Sequence, residues 1–304
     1  MTNHHPESPV AFIGAGSIGG PMAERLLERG RALLICDAAQ KTRDSFAALG
    51  CAVTDDPGDC AGCGTIIFMV ANDDQLRSAA ARLTPRLGGQ SAPLVLVMST
   101  VLPETVTGLA AQLSPSGARV LDAPVSGGSV KARAGELSIM VGGEQTVMDE
   151  ARPLLDDLAT SVFHCGPLGS GEATKILNNL VGVTNLFLFS ETMQIAKSLG
   201  MDLQALVNVM EASSGRNAGT RDWPARRKLF AWNSASLDAS RSVVGVTRKD
   251  LHHALELARR SAAATPILEA VVAAHDATLP ETILERWSQL AADGDATDNG
   301  ANTQ

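Results

Sequence analysis

The sequence predicts an α/β protein, with an N-terminal, doubly wound parallel sheet followed by an all-α C-terminal domain. Three observations carry this. Short apolar runs alternate with helix-like segments from Val10 to Pro167, the pattern of strands joined by helical crossovers. Glycines close several of those runs, and after Pro167 the strand-like runs cease.

The elements follow in order. "VAFIGAG" is an apolar run ending in glycines, and "GGPMAERLLERG" has helical periodicity and closes on Gly30. "ALLICD" is the next strand. "GTIIFMV" (64–70), "PLVLVMST" (93–100) and "ARVLDAPV" (118–125) follow, separated by helices rich in alanine and leucine. "LSIMVGG" (137–143) and "SVFHCGP" (161–167) read as the last strands of the sheet. From Gly169 about thirty residues form one helix, up to Leu199-Gly200. Gly166 and Pro167 punctuate the junction, so the expected domains are 9–167 and 168–290. The ends, 1–8 and 291–304, are small and polar and are expected to be disordered.

With 304 residues, 45% hydrophobic and 19% charged, the chain has the composition of a globular protein with a sizeable core. A formal net charge of −8 argues against nucleic acid or an anionic membrane as the partner. No apolar run is long enough to span a bilayer. The start, "MTNHHPESPV", lacks the basic and apolar regions of a signal peptide, so the cytoplasm is expected. Five cysteines, an odd number irregularly spaced, do not form a disulfide framework. Cys60 and Cys63 form a Cys-x-x-Cys, readable as a redox or metal motif or as two small residues before a buried strand. No second cysteine pair or nearby histidine completes a zinc site, and no metal is expected.

Three motifs carry chemistry. Gly14-Ala15-Gly16-Ser17-Ile18-Gly19 follows a strand and opens a helix. Gly14 permits a tight turn, Gly16 lets backbone approach a pyrophosphate, and Gly19 lets helix and strand pack closely. The helix N-terminus favours the anion. Asp37 ends the next strand, at the spacing of the carboxylate that accepts from the adenosine ribose and repels a 2′-phosphate. That favours NAD over NADP, although Lys41 and Arg43 lie nearby and could accommodate a phosphate. The second motif is "DAPVSGG", Asp122 to Gly128, at a strand end: either a tight turn or a hydroxyl and backbone amides suited to a carboxylate. The third is "GSGEATKILNN", Gly169 to Asn179. Lys175 shares a helix face with Asn178 and Asn179. A lone helical lysine is usually solvated surface. In a glycine-flanked polar cluster at a domain junction it reads instead as an acid/base group, desolvation bringing its pKa toward working pH.

With these motifs in order, the chain resembles the β-hydroxyacid dehydrogenases, the group of 3-hydroxyisobutyrate dehydrogenase and tartronate semialdehyde reductase. The resemblance runs from Val10 to about residue 285 and includes a fourth signature, Lys249-Asp250-Leu251. It implies a Rossmann domain that binds the cofactor through Gly14–Gly19, and a helical domain through which dimers or tetramers form. It further implies Lys175 as catalytic acid/base, and Ser126, Gly127, Gly128 and Asn179 as substrate-binding residues. Lys249 would line the cofactor site, with Ser99-Thr100 near the nicotinamide. Two departures stand out. Ile18 replaces the family's usual methionine, and "SGGSVKARAGEL" is more similar to the threonate dehydrogenase branch, which acts on sugar acids. The segment 211–233, with Arg216, Asn217, Arg221 and Trp223, is expected to shape the substrate pocket.

The resulting expectation is an NAD-dependent dehydrogenase of a small hydroxy acid, cytoplasmic and homo-oligomeric. An imine reductase is the rival enzyme, but that group generally lacks the lysine. A non-catalytic nucleotide-binding protein of the same fold is the rival from another class, and loss of the lysine would be its signature.

Overall fold

The computed structural model describes residues 9–88 and 92–292. The tails expected to be disordered, 1–8 and 293–304, lie outside the described residues, whereas Ala291 and Ala292 close the last helix. The chain divides into two compact units that meet in sequence between Lys175 and Ile176.

The first unit is built on strands β1 (Val10–Ile13), β2 (Leu33–Cys36), β3 (Ala52–Thr54), β4 (Thr65–Phe68), β5 (Leu94–Val97) and β6 (Arg119–Asp122). They lie side by side in the order β3-β2-β1-β4-β5-β6, all parallel, so the order reverses beside β1. Alternation across the sheet explains the continuous apolar runs. Phe12, Ile35, Ile67 and Leu96 face one core with Met22 and Leu26 of helix α1 (Gly19–Glu28). Ala11, Ile13, Ile66, Phe68, Val95 and Val97 face the other, with Leu76, Ala80 and Leu83 of helix α3 (Asp73–Leu83). A strand buried on both faces has no polar side to show.

The crossovers are completed by α2 (Gln40–Ala48) and α4 (Pro103–Leu113). Beyond β6 the all-parallel expectation is modified. Strand β7 (Val125–Ser126), helix α5 (Gly128–Ala134) and strand β8 (Leu137–Gly142) follow, and β8 runs antiparallel to both β6 and β7. Seven residues of helix advance only about 10 Å, too short to carry the chain back along the sheet, so it returns in the opposite sense. Helix α6 (Gln145–Leu158) then delivers β9 (Ala159–Gly166) parallel to β8 at the edge.

Helix α7 (Ser170–Ser198) is the expected thirty-residue helix. The second unit continues with α8 (Leu203–Glu211), α9 (Ala218–Arg221), α10 (Trp223–Asn233), α11 (Leu237–Arg260), α12 (Pro266–Asp276) and α13 (Pro280–Ala292). It is all helical among the described residues. Its core holds Phe189, Trp223, Phe230 and Trp287, with the Phe230 and Trp287 rings 5.1 Å apart. Trp223 is therefore a core residue rather than an open pocket wall. In the same segment Arg216 pairs with Glu211 at 2.8 Å, and Asn217 caps α9.

Candidate active site

Because β1 to β6 are parallel, their carboxyl ends share one edge of the sheet, where ligands of open α/β sheets bind. The glycine turn after β1 is shaped by close approach. Gly14 has φ +95°, and a Cβ there would overlap the Met69 carbonyl; a Cβ on Gly19 would overlap the Gly14 carbonyl. A Cβ on Gly16 would meet nothing within 4 Å, so its absence leaves open space above the turn. Gly16 and Ser17 are exposed, Ala15 is buried, and Ile18 packs partly on the core. No side chain caps α1, and its first turn has no acidic residue, so no negative charge there competes with an anion drawn to the positive end of the helix.

Asp37 meets this turn. One carboxylate oxygen accepts from the Ala15 N–H at 2.8 Å and the other from the Ala39 N–H at 2.8 Å. Arg43 folds back onto the carbonyls of Asp37 and Ala38, at 2.7 and 2.9 Å, and onto Gln40. Open space over Gly16, an uncapped helix start and an oriented carboxylate fit a dinucleotide.

After β5, Ser99 is buried and its hydroxyl accepts from the Val70 N–H at 2.7 Å, while Thr100 is half-buried. After β6, Ser126 is half-buried, and Gly127 and Gly128 are exposed with φ +145° and +72°. They open α5, whose start no side chain caps. Cys60 and Cys63 are buried with Cys36 beneath the sheet, and a hydrogen bond from Cys60 holds the Cys36 thiol below its ordinary value.

The first turn of α7 is held by two acids. Asp122, fully buried at the end of β6, accepts from the N–H of Gly169 and of Glu172, each at 2.7 Å. Burial pushes its carboxyl above the usual range, against the pull of the backbone donors. Glu172, also fully buried, accepts from the Val101 N–H at 3.2 Å. One turn on, Lys175 is 7% exposed, so it is not a solvated surface lysine.

The second unit holds its own cluster. Asn179, on α7, donates from Nδ2 to Asp250 Oδ2 at 2.7 Å, and Lys249 pairs with Asp250 Oδ1 at 3.2 Å. The buried Asp250 thus joins two residues singled out from sequence. Asp122 and Glu172 were missed as organising groups; the only signal was a carboxylate at a strand end and another in a helix's first turn.

The sheet and glycine turn define a dinucleotide-binding domain followed by a helical one. Two family profiles match: the NAD-binding domain of 6-phosphogluconate dehydrogenase over residues 9–166, and the NAD-binding domain of NADP-dependent 3-hydroxyisobutyrate dehydrogenase over 169–285. The chain is 31% identical to an NAD-dependent L-serine dehydrogenase of Pseudomonas aeruginosa, over 91% of this chain and 94% of that protein. It is 32% identical to the 3-hydroxyisobutyrate dehydrogenase of the same organism, over 85% and 88%. Among solved structures it resembles Mycobacterium tuberculosis 3-hydroxyisobutyrate dehydrogenase with L-serine, with a TM-score of 0.76, 26% identity, and coverage of 92% and 98%. The chain belongs to the β-hydroxyacid dehydrogenase family, a family of NAD-binding hydroxyacid dehydrogenases.

Proposed function

We propose that the protein oxidises a small hydroxy acid, 3-hydroxyisobutyrate-like or a sugar acid such as threonate, with NAD as cofactor and Lys175 as the proton-transfer group. The burial of Lys175 in the second turn of α7 is the observation that carries this reading. The substrates named for its relatives, L-serine and 3-hydroxyisobutyrate, each carry a hydroxyl β to a carboxylate.

The residues divide the task by chemistry. The Ser126 hydroxyl and the amides of Gly127 and Gly128 hold the substrate carboxylate without a competing negative charge. Lys175, as the free amine, takes the hydroxyl proton; as the ammonium it returns one in the reverse direction. Asn179, oriented by Asp250, fixes a substrate oxygen. Gly14–Gly19 hold the diphosphate, Asp37 the ribose hydroxyls, and Thr100 and Lys249 line the nicotinamide side. Bound NAD supplies the hydride acceptor. Arg43, turned onto backbone carbonyls, is occupied elsewhere than at a 2′-phosphate, which supports NAD.

A homodimer or homotetramer is part of this reading. Leu177, Val181, Leu188 and Ile195 lie exposed along α7, with Leu199 just past its end, an apolar stripe suited to a second copy. Among the described residues no helix is long and apolar enough to cross a membrane. We place the protein in the cytoplasm. The imine reductase alternative and a non-catalytic role both fit Lys175 less well.

The test is a screen of the purified protein with NAD and NADP against small 2- and 3-hydroxy acids, L-serine and threonate included, following reduced-cofactor absorbance. Turnover of at least one with NAD is expected; none with any would overturn the reading.

A further inference from the structure

We infer that Asp122 is a positioning residue for the reaction: its buried carboxylate ties the first turn of α7, and so Lys175, to the strand end that leads into the substrate-holding Ser126–Gly128. The inference rests on the proposed role of Lys175 and adds to it what sets the lysine's position.

The geometry is specific. Asp122 ends β6, and four residues later the chain reaches Ser126. Its two oxygens accept separately, Oδ1 from Gly169 and Oδ2 from Glu172, at 2.7 Å each. Both donors belong to the start of α7, whose first N–H groups have no partner within the helix. Two glycines make room for this contact. A Cβ on Gly142, the residue paired with Asp122 across β6 and β8, would overlap the carboxylate. A Cβ on Gly171 would lie 2.8 Å from Asp122 Oδ2 and 2.9 Å from the Gly142 N. The helix start is therefore seated closely on the sheet at one place, and Lys175 follows Glu172 by three residues.

Glu172 adds a second tie. Its side chain accepts from Val101, the residue after Ser99-Thr100. Two carboxylates thus connect the proton-transfer helix to the substrate loop and to the segment expected beside the nicotinamide. A single acid at either place would leave the turn free to pivot about one attachment.

Asp122→Asn tests this. The amide keeps one acceptor oxygen but turns an NH2 toward a backbone N–H, so the seat loosens without a change of volume. The expected result is a kcat lowered roughly 10–100-fold, the cost of a displacement of about 1 Å, with NAD affinity within about threefold of the parent. The deciding readout is a double-mutant cycle with Lys175→Ala. If Asp122 acts through Lys175, Asp122→Asn should cost almost nothing further once the lysine is gone.

Equal losses in both backgrounds would show that Asp122 merely supports the fold, and an unchanged kcat in Asp122→Asn would equally overturn the inference. Should Asp122→Asn not yield folded protein, Glu172→Gln gives the same cycle more mildly, since it keeps an oxygen for Val101, and non-additivity is again required. Failure of the underlying reading looks different: Lys175→Ala alone would then keep the parent rate.

Discussion

The Asp37 carboxylate accepts the backbone N–H of Ala15 at 2.8 Å, joining the end of β2 to the glycine turn after β1. Its second oxygen is fixed by Ala39, so the acid is oriented before any ribose arrives. Its negative charge opposes a 2′-phosphate, and the nearest guanidinium, Arg43, is bound to carbonyls. Catalytic efficiency should therefore be higher with NAD than with NADP. Asp37→Ala should narrow the ratio by roughly tenfold or more, the scale of a lost charge-assisted contact. Equal use of both cofactors by the unmutated protein would refute the assignment.

Much of this first unit was legible in the sequence for one reason. Residues of β1, β2, β4 and β5 alternate between two cores, so each strand is an apolar run. The glycine turn was equally legible, because Gly14 and Gly19 occupy places where a Cβ has no room. Strands β3 and β7, of three and two residues, are too short to show a period. The reversed direction of β8 depends on the connection before it, which leaves no mark in its composition. Asp122 was read as part of a binding motif. Its backbone donors lie 47 and 50 residues away in sequence, so only the fold shows what it holds. Asp250 and Asn179, separated by 71 residues, are a second such case. Phe189, Trp223, Phe230 and Trp287, spread along the helical unit, likewise come together as one core only in the fold.

A second prediction concerns acid stability. Asp157 receives Arg29 and Arg31 at 2.8 Å each, and its backbone carbonyl receives Arg25. These contacts secure α1, the helix that presents the glycine turn, to the end of α6. Burial alone would raise the Asp157 carboxyl; the two guanidinium groups outweigh it and hold it below its ordinary value. A depressed carboxyl contributes stability above its unfolded-state pKa, near 4, and loses it as pH falls through the folded value. Asp157→Ala should cost roughly 2–3 kcal/mol at neutral pH and progressively less below about pH 4. Urea unfolding at several pH values checks this, and a cost independent of pH would contradict it.

The exposed stripe on α7 supplies a third. Val181, Leu188 and Ile195 recur at intervals of seven and are each more than half exposed, which places them on one helix face. Since the second unit has its own aromatic core, these side chains are surplus to it and are available to a second copy. Light scattering should give a dimer or tetramer, and Leu188→Glu should shift it toward the 31.6 kDa monomer. A parent protein that is already monomeric at micromolar concentration would refute the interface.

The last prediction returns to Lys175. If its amine transfers the proton, Lys175→Ala should lower kcat by roughly 10²–10⁴-fold, the range for a positioned acid or base. NAD affinity should hold, because the diphosphate is assigned to Gly14–Gly19 and the ribose to Asp37. Arginine at this position should not restore the rate, since a guanidinium stays protonated and cannot accept a proton. In the oxidation direction kcat should rise with pH as the amine becomes free, and the variant should lose that dependence along with the rate. Asn179→Ala should differ in kind: with Asp250 left without its carboxamide partner, both KM and kcat should worsen, because the residue orients substrate and moves no proton. A buried lysine that served only to seat α7 would instead lower stability and leave kcat within about threefold of the parent. Steady-state kinetics, NAD titration and thermal unfolding on that one variant separate the two roles.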